Sequence, residues 1–274
     1  MSRFILPGYL IVLILVIGAC GQSGPSIVYT SDQDGNMEIY SIQPDSKDQI
    51  NLTNSPEDEF SPIISPDRNL IAFQSGSSAN IAIHVIKSDG TERRAVTIDS
   101  GWHGTHTWGP GSDRIAFVRK KDDTNEVLTA HLGGDGPTKL TPIEANEVGD
   151  WSGDGDAVVF AVLDGKHPGV FVRNPDGVNE MQLTESLDHS AVWSPDSKRI
   201  AFISERDGNS EIYVMARDGE KEHRLTENEE SEYDLSWAPD GKRLLFVSDR
   251  DGNPEIYTME DTGAKQTRLT YNNV

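Results

Sequence analysis

The stretch Ser248–Met259, SDRDGNPEIYTM, joins the end of one apolar segment to the start of an alternating one through Asp-Gly-Asn. Nearly the same stretch occurs at Ser204–Met215 (SERDGNSEIYVM) and at Ser31–Ile42 (SDQDGNMEIYSI). Glycine between Asp and Asn, followed at once by alternating apolar residues, is typical of a β-hairpin. The sequence therefore predicts the same hairpin three times.

Two further markers extend this repetition along the whole chain. An aromatic residue within an apolar segment recurs 42 to 44 residues apart, at Tyr29, Phe73, Phe117, Phe160, Phe202 and Phe246. An apolar-Thr pair recurs six times, ending at Thr53, Thr97, Thr141, Thr184, Thr226 and Thr270. Each copy has room for four short strands with turn residues between them, and such sheets must bury their faces against neighbouring copies. We expect an all-β fold, a six-bladed β-propeller of four-stranded antiparallel blades.

One blade is expected to be incomplete. Five innermost strands can be recognised, before Ser65, Gly109, Ser152, Ser194 and Ala238, whereas the other three strands occur six times. Residues 21–26 could supply the sixth inner strand, one blade could have three strands, or the sequence could be truncated.

The repeats VWSPDSKRIAFISERDGNSEIYVMARDG (192–219) and SWAPDGKRLLFVSDRDGNPEIYTM (236–259) resemble those of the TolB-type, WD-like propeller family. This family also supplies the propellers of several peptidases, which carry their catalytic triad on a separate α/β domain. Only Tyr271–Val274 follow the sixth repeat, so the resemblance implies a propeller without a peptidase domain.

The N-terminus is predicted to be processed. Residues 1–19 have the apolar run of a secretory signal, and Ile17-Gly18-Ala19-Cys20 resembles a bacterial lipobox. We expect a lipoprotein signal peptide at 1–19, a lipidated Cys20 with a tether at 20–26, and the propeller at 27–274. The alternative is an ordinary secreted protein with a free thiol, and with one cysteine in the chain no internal disulfide can form. The predicted location is the cell envelope, lipid-anchored, with the propeller in the periplasm or on the outer surface.

The formal net charge of -21 makes nucleic acid or an anionic lipid surface an unfavourable partner and a basic one favourable. No nucleotide-binding or nucleophile motif occurs, so no cofactor and no catalytic residue is predicted. Oxygen ligands alternate in the hairpins, as at Asp249, Asp251, Asn253 and Glu255, which could suit Ca²⁺. The spacing departs from that of EF-hands, and we favour a turn role and assign no metal site.

Other recurring residues have structural explanations. Trp108, Trp151, Trp193 and Trp237 share one repeat position and should pack between blades. Pro195, Asp196, Pro239, Asp240 and Gly241 are interpreted as turn formers. His103 and His106 lie three apart, which in a strand places them on opposite faces.

The residues that begin the inner strands are the candidate binding site, because in propellers this position faces the central channel. The predicted channel-mouth set is Glu59, His103, Glu147, His189 and Asp234. We expect a monomeric, non-catalytic scaffold that binds an envelope protein or peptide there. The alternatives are a carbohydrate-active lyase or hydrolase that uses channel histidines and carboxylates, and a purely structural protein.

Overall fold

The described part of the chain is built from short β-strands. The computed structural model describes residues 27–43, 48–77, 80–99, 101–122, 124–134, 136–141, 144–164 and 166–271, and no helix occurs within these ranges. In the same ranges there is accordingly no helix long and apolar enough to cross a membrane. The predicted signal peptide, Cys20 and tether lie outside the described residues.

The strands are short, from two to eight residues each. They are β1 Ile27–Ser31, β2 Glu38–Ile42, β3 Gln49–Asn51, β4 Glu59–Ile64, β5 Leu70–Ser77, β6 Asn80–Lys87, β7 Arg94–Ala95, β8 Trp102–Trp108, β9 Arg114–Lys121, β10 Thr124–His131, β11 Thr138–Lys139, β12 Glu147–Trp151, β13 Val158–Val162, β14 Gly169–Arg173, β15 Met181–Gln182, β16 Asp188–Trp193, β17 Arg199–Ser204, β18 Glu211–Ala216, β19 His223–Arg224, β20 Glu232–Trp237, β21 Arg243–Ser248, β22 Glu255–Glu260 and β23 Thr267–Arg268.

These strands follow one another in antiparallel sets. Within the described ranges, β1–β3 form a three-stranded set, and four-stranded sets follow at β4–β7, β8–β11, β12–β15, β16–β19 and β20–β23. The chain divides into two compact units, the first ending at His103 and the second beginning at Gly104. Within the first unit a single parallel pair, Ile81 with Trp102, also joins β6 to the start of β8.

Cross-strand aromatic pairs explain why the two middle strands of a set pair in this register. Phe202 lies opposite Tyr213 and Phe246 opposite Tyr257, with ring centroids 5.7 Å apart in both pairs. Stacked pairs of this kind add about 0.5–1.5 kcal/mol to the burial of the rings. The recurring aromatic marker of the sequence therefore lies at the centre of the sheet.

Consecutive sets pack through the tryptophans at the end of their inner strands. Trp193 is buried in a cluster with Val159 and Val172 of the preceding set. Trp237 packs on a cluster that includes Ile203 and donates from Nε1 to the Val192 carbonyl at 3.3 Å. The prediction that these tryptophans pack between sheets is confirmed for this pair.

The inner strands share a bulge that turns some of their side chains outward. The register with the next strand breaks between Phe60 and Ile63 in β4, between Val148 and Trp151 in β12, between His189 and Val192 in β16, and between Tyr233 and Ser236 in β20. Within it Ser61, Ser190 and Asp234 take φ values of 54°, 51° and 52°. A bulge of this kind redirects side chains at the edge of a sheet.

Candidate functional site

The acids of the repeated hairpin have protein partners. Gly208 supplies the positive φ of the turn, at 105°, and the Tyr213 hydroxyl donates to Asp207. Arg224 Nη1 lies 3.1 Å from Asp207 and its Nη2 lies 2.6 Å from Glu211. The last hairpin repeats this set, with Tyr257, Asp251 and Arg268 in the same roles.

The Asn and Glu of the hairpin connect one set of strands to the next. Asn209 Nδ2 donates to the Asn228 carbonyl at 3.1 Å, in the loop that leads into β20. Glu211, fully buried, accepts from the Asn228 backbone N–H at 3.0 Å, and Asn228 Nδ2 donates to Glu232 in β20 at 2.9 Å. The hairpin is thus a joint between successive sets, which explains why the chain repeats it.

The same joint occurs in the first unit. Asn36 Nδ2 donates to the carbonyls of Ser55, at 3.1 Å, and Glu57, at 2.7 Å. Ser55 donates its N–H to Glu38 at 2.8 Å and its hydroxyl to Glu59 of β4 at 2.7 Å. Across the ranges that the structure describes, no group of three or more His, Cys, Asp or Glu side chains is arranged to hold a metal ion.

The five predicted channel-mouth residues occupy three successive positions of the inner strand. Each inner strand ends in a Trp, or in Ile64 in β4, and positions can be counted back from this residue. Glu59 and His103 lie five residues before it, Glu147 and His189 lie four residues before it, and Asp234 lies three residues before it. Neighbouring positions on a strand face opposite sides. The bulge interrupts this alternation within the inner strand, and the set divides into buried and accessible members.

Glu59 and His103 are both fully buried. Glu59 accepts from Ser55 Oγ at 2.7 Å and pairs with Arg93 Nη1 at 3.1 Å. His103 places Nδ1 2.7 Å from the Ile81 carbonyl and Nε2 3.3 Å from Asp99 Oδ1. Both side chains serve contacts inside the first unit.

Glu147, His189 and Asp234 are at least partly accessible, and the structure brings the first two together. Glu147 accepts from the Ser190 N–H at 3.0 Å, and His189 Nδ1 lies 3.0 Å from Ser190 Oγ. Asp234 lies in the bulge of β20 with its side chain exposed. Even so, desolvation by the surrounding protein raises the pKa of Asp234.

Asp150 is a candidate that sequence reasoning missed. Desolvation raises the pKa of Asp150 to about 6. Hydrogen bonds from the Trp151 N–H at 2.7 Å and from Thr107 Oγ1 at 3.2 Å lower this pKa, but by less than desolvation raises it. The available signal was an acid directly before the Trp, where the other inner strands have Ile63, Thr107, Val192 and Ser236.

Together, Glu147, Asp150, His189 and Asp234 form what we call the inner-strand wall of the second unit. Within the described ranges, none of its three carboxylates forms an ion pair with Lys or Arg. Elsewhere in this unit the buried carboxylates of Asp188 and Glu232 each have an arginine at 2.8 Å. Partly desolvated carboxylates without a protein cation favour a positively charged ligand.

Successive antiparallel sheets, joined by a recurring hairpin and carrying accessible acids on their inner strands, define a repeat-built β protein. The chain belongs to the TolB beta propeller domain family, which matches residues 21–191 and 184–274. A Protein TolB homolog of Chlorobium luteolum is 27% identical over 208 residues, covering 73% of this chain and 36% of that protein. The chain thus spans about a third of the length of the curated relatives it matches.

Solved structures agree on the fold. The crystal structure of TolB from Acinetobacter baumannii superposes with a TM-score of 0.72 at 20% identity, covering 89% of this chain and 63% of that one. An oligogalacturonate lyase in complex with manganese superposes with a TM-score of 0.70 at 16% identity, covering 89% and 73%. The same fold thus occurs in proteins with different functions.

Proposed function

We propose that this protein is a non-catalytic six-bladed propeller of the bacterial cell envelope that binds a basic protein or peptide segment through the inner-strand wall. The observation that carries the proposal is a set of three carboxylates, at Glu147, Asp150 and Asp234, which form no ion pair with Lys or Arg within the described ranges. Desolvation raises the pKa of two of them, Asp150 and Asp234. A net charge of -21 would add long-range attraction for such a ligand.

The six sets of strands would form the six blades, with the three-stranded set as the incomplete one. We place the propeller at the membrane through a lipid on Cys20, with residues 1–19 removed as a signal peptide. Membership of the TolB propeller family supports an envelope role, and a protein partner follows from the extended, rigid surface that a repeat-built sheet protein offers.

The test is binding of two synthetic peptides of equal length, one rich in Lys and Arg and one rich in Glu, measured by fluorescence anisotropy at low and high salt. We expect the basic peptide alone to bind, and its affinity to fall as salt rises. Asp234→Asn and Glu147→Gln should each weaken it up to about fivefold at low salt, since an accessible charge pair contributes about 0.2–1 kcal/mol.

Asp113→Asn is the matched control, because it removes the same charge from an exposed turn residue of the second unit. Equal loss of affinity in this control would show that net charge alone attracts the peptide, and the wall would then have no specific role. Turnover of oligogalacturonate, with or without manganese, would favour the carbohydrate-active enzyme over the scaffold.

A further inference from the structure

Two buried carboxyl groups meet where the first set of strands joins the second. Glu38 begins β2 and Glu59 begins β4, and their side chains are at most 2% exposed. Ser55 bridges them, donating its N–H to Glu38 Oε1 at 2.8 Å and its hydroxyl to Glu59 Oε1 at 2.7 Å. Glu38 helps to raise the pKa of the buried Glu59, which favours a proton on Glu59.

We propose that Glu59 keeps a proton where it meets the buried Glu38, that this proton holds the first two sets of the first unit together, and that the joint loosens when the proton is lost as the pH rises. Two ionised carboxylates in contact would repel each other in a site from which water is excluded.

The charge around this pair supports a retained proton. Arg93 is the cation that contacts it, 3.1 Å from Glu59. Among the described residues, other titratable groups near the joint are Tyr40 on β2, which donates to Asp34, Asp58 in the loop before β4, which accepts from the Met37 N–H, and His84 on β6, which contacts Arg93. One arginine offsets the negative charge of one carboxylate. The second carboxyl group therefore has the lower free energy when it is protonated and neutral.

A second joint in the chain provides an internal comparison. Glu211 and Glu232 are also fully buried, and Asn228 bridges them at 3.0 and 2.9 Å. This pair faces two cations, Arg224 at 2.6 Å and Arg250 at 2.8 Å. Two arginines balance two carboxylates, so this joint should tolerate loss of its proton better.

The difference arises at one position. Arg224 stands two residues before Thr226, and the same position in the first set, two residues before Thr53, is Asn51. Asn51 occupies the place of the arginine, donating to Asp34 at 3.2 Å as Arg224 contacts Asp207. The sequence therefore makes the first joint more sensitive to pH than the later one.

The direction of the effect follows from Glu59. Desolvation raises its pKa and Glu38 adds to this, outweighing the hydrogen bond from Ser55 and the charge of Arg93. A raised pKa in the folded state means that the stabilisation is complete below the usual value of 4.5 and is lost as the pH rises through the raised one. The pH window of the effect therefore opens at about 4.5 and extends upward.

Loss of the proton would act on more than the two side chains. The Glu59 N–H donates to the Met37 carbonyl at 2.7 Å. Beneath the joint, Val28 and Ile39 of the first set share a buried cluster with Ile71 and Phe73 of the second. Loosening of the joint should therefore expose the Glu59 amide to solvent exchange.

The experiment follows the carboxyl carbons of the full chain, labelled with ¹³C-glutamate, by NMR as the pH is raised. Glu59 is expected to titrate above its usual value and above Glu232. Asn51→Arg should lower the Glu59 midpoint by about one pH unit, because an opposite charge within 4–6 Å has at least this effect. Arg224→Asn should raise the Glu232 midpoint.

Amide hydrogen exchange measures the joint itself, with the Glu232 N–H, which donates to the Ser210 carbonyl at 2.9 Å, as the matched reference. The exchange rate of the backbone N–H of Glu59, relative to this reference, should rise with pH in the wild type. It should stay constant in Glu59→Gln, because the glutamine side-chain amide can donate a hydrogen bond at every pH. Titration of Glu59 at or below its usual value, or an unchanged midpoint in Asn51→Arg, would overturn the proposal.

Discussion

Replacement of Arg206 by alanine should be among the most destabilising changes in the second unit. Arg206 Nη2 lies 2.8 Å from Asp188 Oδ2, and Asp188 is fully buried. Its other oxygen, Oδ1, has no hydrogen-bond partner among the residues that the structure describes. Removing the arginine leaves an uncompensated buried carboxylate, which costs about 3–5 kcal/mol. The contact of the guanidinium with the Tyr213 ring, 4.7 Å from its centroid, adds about 0.5–1 kcal/mol.

We take about 3 kcal/mol as the expected loss, at the lower end because the arginine side chain is 27% exposed and water can replace it. At roughly 2–4 °C per kcal/mol, the melting temperature should fall by about 6–12 °C in a calorimetric scan.

Arg250→Ala is the matched control. Arg250 pairs with Glu232 at the same distance, 2.8 Å, but Glu232 also accepts from Ser248 and Asn228, both at 2.9 Å. Desolvation also raises the pKa of Glu232, so it can take up a proton when the arginine is removed, and the loss should be about 1–2 kcal/mol. Asp188→Asn in the Arg206→Ala background should recover much of the lost stability. Equal losses in the two single variants, or no recovery in the double variant, would refute the assignment of the cost to an unpaired charge.

Three further predictions concern stability. Gly149→Ala should lower the free energy of unfolding by more than about 3 kcal/mol, because its Cβ would lie 2.1 Å from a backbone carbonyl oxygen. Gly208→Ala has open space around its Cβ but a φ of 105°, and should lower it by about 1 kcal/mol. Chemical denaturation should rank the two variants in this order. Tyr213→Phe should cost about 1 kcal/mol, measured the same way, because it removes one hydrogen bond to the hairpin; no loss would contradict the role of that hydroxyl. The pKa of Asp150 rises from 3.8 to about 6 on folding, so its contribution to stability is lost as the pH increases through this range. Asp150→Asn should therefore reduce the fall in melting temperature between about pH 4 and pH 6. Parallel plots of melting temperature against pH for the wild type and the variant would rule this out.

Much of the fold could be predicted because its markers are local. The hairpin of Asp207, Gly208 and Asn209 depends on turn chemistry, and the aromatic marker at Phe202 depends on strand pairing, so both are visible in a short window of sequence. The middle repeats show the limit of such reasoning. Where the hairpin signature is lost near Asp122, β9 and β10 still pair along eight residues each, because burial of their apolar faces maintains the hairpin.

The candidate site was less accessible to sequence reasoning. The bulge in the inner strands shifts the register, so that aligning charged residues by eye grouped Glu59, which is buried, with Asp234, which is exposed. Asp150 escaped notice because its raised pKa depends on desolvation by neighbours distant in sequence. The joints were likewise invisible, because Asn228 links Glu211 to Glu232, residues that the repeat alignment assigns to separate copies.

The hairpin joint has a consequence for how such a chain can be rearranged. Glu211 accepts a hydrogen bond from the Asn228 N–H in the loop that leads into the copy that follows it, whereas at the corresponding place of the fourth set stands Gly169, against the Thr184 backbone. Copies are therefore not interchangeable: a deletion or a swap that changed the loop after the fifth copy would take this donor from the buried Glu211 carboxylate. Duplication or exchange of repeats in this protein is constrained to adjacent pairs that carry both halves of one contact.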